Sequence, residues 1–404
     1  MLAVRSENLK RTLSAPERNE PVSGSVCEMV LKRFRGMDEC PADWPDDWKP
    51  LGEPLVRRES TIHRLVSERG SRSICVKIIN KPSRKPKDSS RLYAALSHYH
   101  SRSDREKGYT VPQPYGCIPE LGVVIMEWVD GITFSEILKK QQFSNRKRHQ
   151  EIQKVAGWLR WFHSRSELGS ETVAESGQLE SIIKVFKERR GLDKAAVSHD
   201  AVLGRQLKKA LKHAGVLRGV EMDTAILHGD FKPTNLLFCE SGAVVGIDFQ
   251  GTRRGPVTQD ICRFLIDLDF YRNLVRRSYA LSPGSGTNDF EVFLSAYGGK
   301  AAGISRPAFV HLYFLAILSA LVHQRKKFRP GARHRVRLAV FRSIARQLSQ
   351  EISPEAAPAA VVPQSLSWLF HPRMPAFSLS SLQFPLEWAV VLLDSELIGT
   401  LMSI

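Results

Sequence analysis

Acidic residues are scarce in this 404-residue chain: 42 Asp and Glu face 59 Lys and Arg, for a net charge of +17. A surface of that sign draws polyanions such as nucleotides, nucleic acid and anionic lipid. Cysteine is sparse too. Its six copies (Cys27, Cys40, Cys75, Cys117, Cys239, Cys262) form no CxxC pair, which argues against zinc ribbons and a disulfide framework and predicts buried free thiols in a reducing compartment. The longest apolar run, Phe314–Val322, is too short to cross a bilayer. The first twenty residues carry no apolar core of a secretory signal, so a cytoplasmic location is expected. Neither GxGxxG nor GxxxxGK[ST] occurs, so the common glycine cradles for phosphate are absent. The densest basic stretch, Arg325–Arg337, lacks the interleaved aromatics of a single-strand binding track, and no specific nucleic-acid partner is expected.

What is present is concentrated in Ile226–Leu265. Two short apolar runs, Leu236–Phe238 and Val244–Ile247, flank the turn chemistry Glu240-Ser241-Gly242 and predict a β-hairpin. Asn235 enters the first strand and Asp248 leaves the second, so antiparallel pairing brings them together; Asp230 sits on the loop just before. Two carboxylates and an amide oxygen are hard donors, few in number. That suits Mg²⁺ also held by phosphates. The order His-Gly-Asp-x-x-x-x-Asn and then Asp-Phe-Gln has the spacing of a phosphoryl-transfer site.

With Gly255-Pro256-x-x-x-Asp260 added, the stretch resembles the aminoglycoside phosphotransferase and choline kinase family, small-molecule kinases with a protein-kinase-like fold. The resemblance implies an α+β, two-lobed architecture with an antiparallel five-stranded N-lobe and a mainly helical C-lobe, and ATP and Mg²⁺ as cofactors. It assigns Asp230 as catalytic base, Asn235 and Asp248 as metal ligands, His228 as a buttress of the loop and Asp260 as its brace from the next helix. Lys232, in DFKPTN, is a candidate to neutralise charge on the transferred phosphoryl group. Its alternative is an exposed loop lysine. No APE follows, the segment from Asp248 to Asp260 is short for an activation segment, and Gln250 stands where DFG has glycine. A small hydroxylated acceptor is therefore expected, not a peptide. The net charge weighs against a cationic acceptor.

Upstream, Ile74-Cys-Val-Lys77-Ile resembles the strand whose lysine holds the ATP phosphates, which makes Lys77 the candidate. Strands are predicted at Pro54–Arg58, Ile62–Val66 and Ser73–Ile79. Ser60 and Thr61, between the first two, are candidate phosphate donors in place of glycines. Gly122–Glu127 reads as the strand into the hinge, where the backbones of Glu127 and Val129 would meet adenine. The helix predicted over Arg91–Ser101 has no Glu to pair with Lys77; Asp88 and Glu106 are the alternatives. His163, ending a helix from Arg146, reads as structural. Asp267 and Asp269 read as a solvated helix face, with a cleft-facing role as the alternative.

Four regions follow: a weakly ordered extension (1–49), with a short helix at Cys27–Phe34, that Trp44 and Trp48 pin to the first lobe, an N-lobe (50–128), a helical C-lobe (129–352), and a linker with an apolar tail (353–404). The function expected is transfer of the γ-phosphate of ATP to a small-molecule hydroxyl. Two rivals stand beside it. One is a non-catalytic kinase-like scaffold, favoured by the missing glycine loop and helix Glu. The other is a kinase of a lipid-linked or glycan acceptor, with weak anionic membrane contact through 325–337 and the tail.

Overall fold

The computed structural model describes residues 23–69, 72–80, 85–104, 106–140, 145–173, 180–182, 184, 197–249, 253–276, 289–324 and 332–352. Gln250, most of the basic stretch 325–331 and the linker and tail 353–404 lie outside the described residues. The chain divides into two units, residues 1–97 with 112–128, and residues 98–111 with 129–404.

The N-terminal unit is built on a six-stranded antiparallel sheet of β1 (Trp48–Pro50), β2 (Leu55–Val56), β3 (Ser60–Ser67), β4 (Arg72–Ile79), β6 (Pro114–Ile118) and β7 (Val123–Glu127). The order is β1-β3-β4-β7-β6, with β2 also on β3. The sequence suggested five strands and, up to residue 49, a weakly ordered extension with a short helix at Cys27–Phe34; the sheet has six strands, the helix is present and longer, and residues 23–50 are ordered. Helix α1 (Ser23–Arg35) places Cys27, Val30, Leu31 and Phe34 on one face and buries all four against Leu65, Val76 and Ile125. Trp44 is the hub of the connection, with ring centroids 5.0 Å from Phe34, 5.2 Å from Trp48 and 5.2 Å from Tyr115. Asp43 and Asp47 then tie the Pro- and Asp-rich segment to Arg72 (2.7 Å) and to the Ser67 hydroxyl (2.6 Å). Turn-forming composition concealed a segment that long-range contacts order.

Helix α2 (Lys85–His100) starts earlier than predicted. The C-terminal unit holds a three-stranded sheet, β13-β10-β9 (Arg254–Pro256, Glu221–Ile226, Gly169–Thr172), and a four-stranded one, β5-β12-β11-β8 (Tyr109–Thr110, Val244–Gly246, Leu236–Phe238, Ile132–Thr133). Around them pack α3 (Phe134–Lys140), α4 (Asn145–Ser164), α5 (Val197–Lys212), α6 (Thr258–Arg276), α7 (Asp289–Tyr297), α8 (Gly299–Ala302), α9 (Arg306–Gln324) and α10 (Ala332–Glu351). Helix α3 opens on a capping box. The Glu136 N–H donates to the Thr133 hydroxyl (3.2 Å) and the Thr133 N–H to the Glu136 carboxylate (2.7 Å). Helix α9 has the length and hydropathy of a membrane span, but two-thirds of that window (67%) is buried inside the protein, as in a core helix.

The predicted hairpin is present: β11 pairs antiparallel with β12, Leu236 opposite Gly246. Trp158 of α4 lies directly on Gly246, where an added Cβ would come 2.1 Å from its ring. An aromatic bed supports the loop before the hairpin. Phe231 stacks on Trp158 at 5.8 Å and meets Phe264 of α6 at 5.4 Å.

Candidate active site

The loop leaves β10 at Ile226 and is held first at its backbone. The Asp260 carboxylate, buried in the first turn of α6, accepts the N–H groups of His228 (2.7 Å) and Gly229 (3.0 Å). His163 Nε2–H donates to the same carboxylate at 3.1 Å, and Nδ1 faces the Tyr297 hydroxyl at 2.9 Å. Burial by itself would raise the Asp260 pKa; the His163 hydrogen bond and charge and the Gly229 N–H outweigh it and hold the carboxyl below its ordinary range. Burial keeps the Tyr297 phenol protonated, reinforced by Asp223 and Asp260. Gly229 has φ +81°, a conformation that other residues adopt only under strain, and this lets two successive N–H groups reach one carboxylate.

His228 is fully buried among Trp158, Phe162, Phe231 and Phe249, with centroids 5.5–6.0 Å away. Its Nδ1 takes a long contact from the Asp230 N–H (3.4 Å), and its Nε2 has no hydrogen-bond partner among the described residues. Burial lowers its pKa; Asp260, Asp230 and Asp248 offset part of that.

Next comes a 3₁₀ turn, Pro233–Asn235, opened by a proline whose fixed φ suits that position. It delivers Asn235, buried, to the start of β11. The Asn235 amide donates to the Asp230 carbonyl (3.0 Å) and carboxylate (3.3 Å). The Ile247 N–H donates to the Asn235 carbonyl at 2.9 Å, which sets the next residue, Asp248, beside this corner. Asp248 has φ +60°, the one positive value outside glycine among the described residues. Such strain costs about 1–3 kcal/mol and concentrates at functional positions.

Asp230, Asn235 and Asp248 thus come from one hairpin and its preceding loop. Because the Asn235 nitrogen is spent on Asp230, its Oδ1 is turned the other way, taking among the described residues a single 3.3 Å contact from the Thr234 hydroxyl. Among the described residues no group of three His, Cys, Asp or Glu gathers as a metal cluster. An amide oxygen and a carboxylate nevertheless fit magnesium, which is commonly held by one or two protein oxygens with phosphate and water completing its shell.

Lys232 pairs with the Asp230 carboxylate and is not the exposed loop lysine of the alternative reading. Arg263 of α6 donates to the other carboxylate oxygen at 3.3 Å. The sequence reading missed Arg263, although it follows Asp260 by one helical turn and so shares its face. One more turn on, Asp267 pairs with Arg337 of α10, while Asp269 accepts the Tyr313 hydroxyl. Both are buried, which corrects the solvated-face reading, and Arg337 is half-buried beside them. Burial, then the charge of Arg263, lowers the Arg337 pKa to about 10.

In the N-terminal unit, Lys77 lies on β4 opposite Ile62 and Val124. Ser60 and Thr61 belong to strand β3 and not to a loop: Ser60 is buried and the Thr61 hydroxyl donates to the Asn80 side chain at 3.1 Å. The exposed turn between β2 and β3 is Arg57-Arg58-Glu59. The Glu127 N–H is engaged by the Gln113 carbonyl at 2.8 Å, and Val129 begins the C-terminal unit.

A family model described as the phosphotransferase enzyme family matches residues 57–284, more than half of the chain. The protein belongs to this phosphotransferase family. No curated protein matches it. Among solved structures, an ethanolamine kinase from Plasmodium vivax aligns with a TM-score of 0.50 at 10% identity, covering 82% of this chain and 89% of the other. A choline kinase from Streptococcus pneumoniae aligns at 0.47 with 14% identity, covering 80% and 99%. A spectinomycin phosphotransferase, in complex with ADP and spectinomycin, aligns at 0.47 with 11% identity, covering 80% and 98%. The kinase-like α+β fold expected of the phosphotransferase is the one it has.

Proposed function

We propose that this phosphotransferase moves the γ-phosphoryl group of ATP to a hydroxyl of a small molecule, with Asp230 as the base. The observation that carries the reading is the joint fixing of Asp230, Asn235 and Asp248 on one hairpin corner, braced from behind by Asp260. In this reading the acceptor hydroxyl gives its proton to the Asp230 carboxylate as its oxygen bonds to the γ-phosphorus. The bond from that phosphorus to the bridging oxygen breaks, and ADP leaves with the electron pair. Asn235 and Asp248 would hold magnesium, which when bound neutralises phosphate charge. Lys232 and Arg263, both on Asp230 here, supply cations where negative charge spreads over the phosphoryl oxygens. The nucleotide's phosphates are assigned to Lys77 and its base to the backbone at Glu127 and Val129, as family membership supports.

The test is Asp230→Asn assayed for ATP-dependent phosphorylation over hydroxylated metabolites. Turnover is expected to fall by about a thousandfold or more, with nucleotide affinity, read by calorimetry, changed less than threefold. Retained turnover removes Asp230 from the role of base.

A further inference from the structure

A cavity of 760 Å³ opens in the C-terminal unit between β9, β10, β13, α6 and α9. That volume lies within the range of small-molecule sites. It adjoins the proposed base through Arg263, which lines it and donates to Asp230. The charge of its lining is lopsided. Among the described residues, three arginines (Arg253, Arg254, Arg263) line it and Glu171 is the one carboxylate.

These arginines are differently employed. Arg254 is anchored by backbone carbonyls, donating to Glu167 at 2.6 Å and Thr224 at 3.4 Å. Arg253 is exposed and touches the Gln259 side chain at 3.1 Å, a neutral partner. Arg263 contributes one nitrogen to Asp230, and its side chain is still 36% exposed where it lines the cavity. The exposed edge of a guanidinium pairs best with an oxyanion. A cationic amine would instead meet three like charges and one carboxylate.

We propose that the acceptor is an anion, a hydroxylated small molecule whose carboxylate or phosphate is held by Arg253 and the exposed edge of Arg263, and not a cationic amino alcohol or amino sugar. This rests on the reading of Asp230 as base. The hydroxyl to be phosphorylated is then within the reach of a small ligand whose anionic end sits on the same arginine that touches the base.

The experiment is calorimetric binding to the full chain carrying Asp230→Asn, using series matched in shape and differing in charge: glucuronate, glucose 6-phosphate, glucose and glucosamine, with glycerate, glycerol 3-phosphate, glycerol and ethanolamine. At least one anion is expected to bind ten- to a hundredfold tighter than its neutral partner. The carboxylate and phosphate arms show which oxyanion fits. That preference should disappear in Arg253→Gln, remain in Arg253→Lys, and reverse toward the amine in Arg253→Glu. Arg253 is on the surface, so these variants are expected to fold, which their melting temperatures check. Equal or tighter binding of the neutral or amine members, no anion binding, or anion binding indifferent to Arg253 overturns the proposal. The two readings fail separately. Arg253-dependent anion binding by the unsubstituted chain without transfer from ATP removes the phosphotransfer reading alone; transfer that favours amines removes this one alone.

Discussion

His163 and His311 are both shut away in helices of the C-terminal unit, and they live in opposite surroundings. His163 has both ring nitrogens occupied, one by Asp260 and one by Tyr297, and through Asp260 it supports the backbone of the proposed catalytic loop. His311 on α9 is 0% exposed, yet neither of its ring nitrogens has a partner among the described residues. Burial, with the charge of His213 behind it, pushes its pKa down to about 4. Equal burial therefore has different consequences. One histidine is a fastener in a polar network, and the other is tolerated only while neutral.

The comparison breaks most visibly at Asp260. Asp260→Asn keeps the shape but replaces one acceptor oxygen with a donor, against two backbone N–H groups and His163. A stability loss of about 3–5 kcal/mol is expected, as for a buried pair stripped of one partner, together with a fall in turnover; chemical denaturation and the transferase assay read the two. A loss under about 1 kcal/mol would mean the network does not brace the loop.

The acid limb of stability separates the two environments next. His311 has a folded pKa below its unfolded value, so its contribution is fully present above about 6.5 and is lost as pH falls toward about 4. The loss at pH 4 is about 3 kcal/mol at most. Asp260 is also depressed. Its contribution is present above the ordinary carboxyl value near 4 and is lost as pH falls further, through its folded pKa. Melting temperature should therefore decline in two windows. His311→Phe should make the window between about 6.5 and 4 shallower, the rest of it belonging to His228, which burial also depresses, and should leave the lower one. An unchanged upper window would show that His311 is not the group responsible.

The smallest expected effect sharpens the contrast at neutral pH. His163→Phe leaves the Tyr297 hydroxyl and one side of Asp260 without a partner and should cost about 2 kcal/mol. His311→Phe forfeits no hydrogen bond among the described residues and should stay within about 1 kcal/mol of the parent. Equal losses at the two sites would erase the distinction.

The site was legible where its chemistry is local. Asp230, Asn235 and Asp248 are joined by a turn and a hairpin whose residues announce themselves, and Asp260 follows one short strand later. The same holds for α4, whose apolar spacing marks its buried face from Ile152 to Phe162. It was illegible where one half of a contact looks ordinary. Apart from a short helix at Cys27–Phe34, residues 23–50 read as loose because the Pro and Asp content of Met37–Trp48 suggests turns, while the apolar face of α1 shows its worth only against Leu65 and other sheet residues 30 or more positions on. Ser60 and Thr61 were expected in a phosphate loop but continue a strand, since β-pairing with Ile79 and Ile78 takes them up.

By itself, then, the amino-acid order determined the family, the hairpin and the carboxylates of the proposed chemistry, because turn preference and strand alternation act over a few residues. Tertiary structure alone decided that Arg263 lies on Asp230 across 33 positions and that His163 meets Tyr297 across 134. It also decided that Asp267 is buried on Arg337 and that the described lining of the cavity beside Asp230 is basic. Charge and burial are properties of what surrounds a side chain, and those surroundings are assembled from segments far apart in the chain.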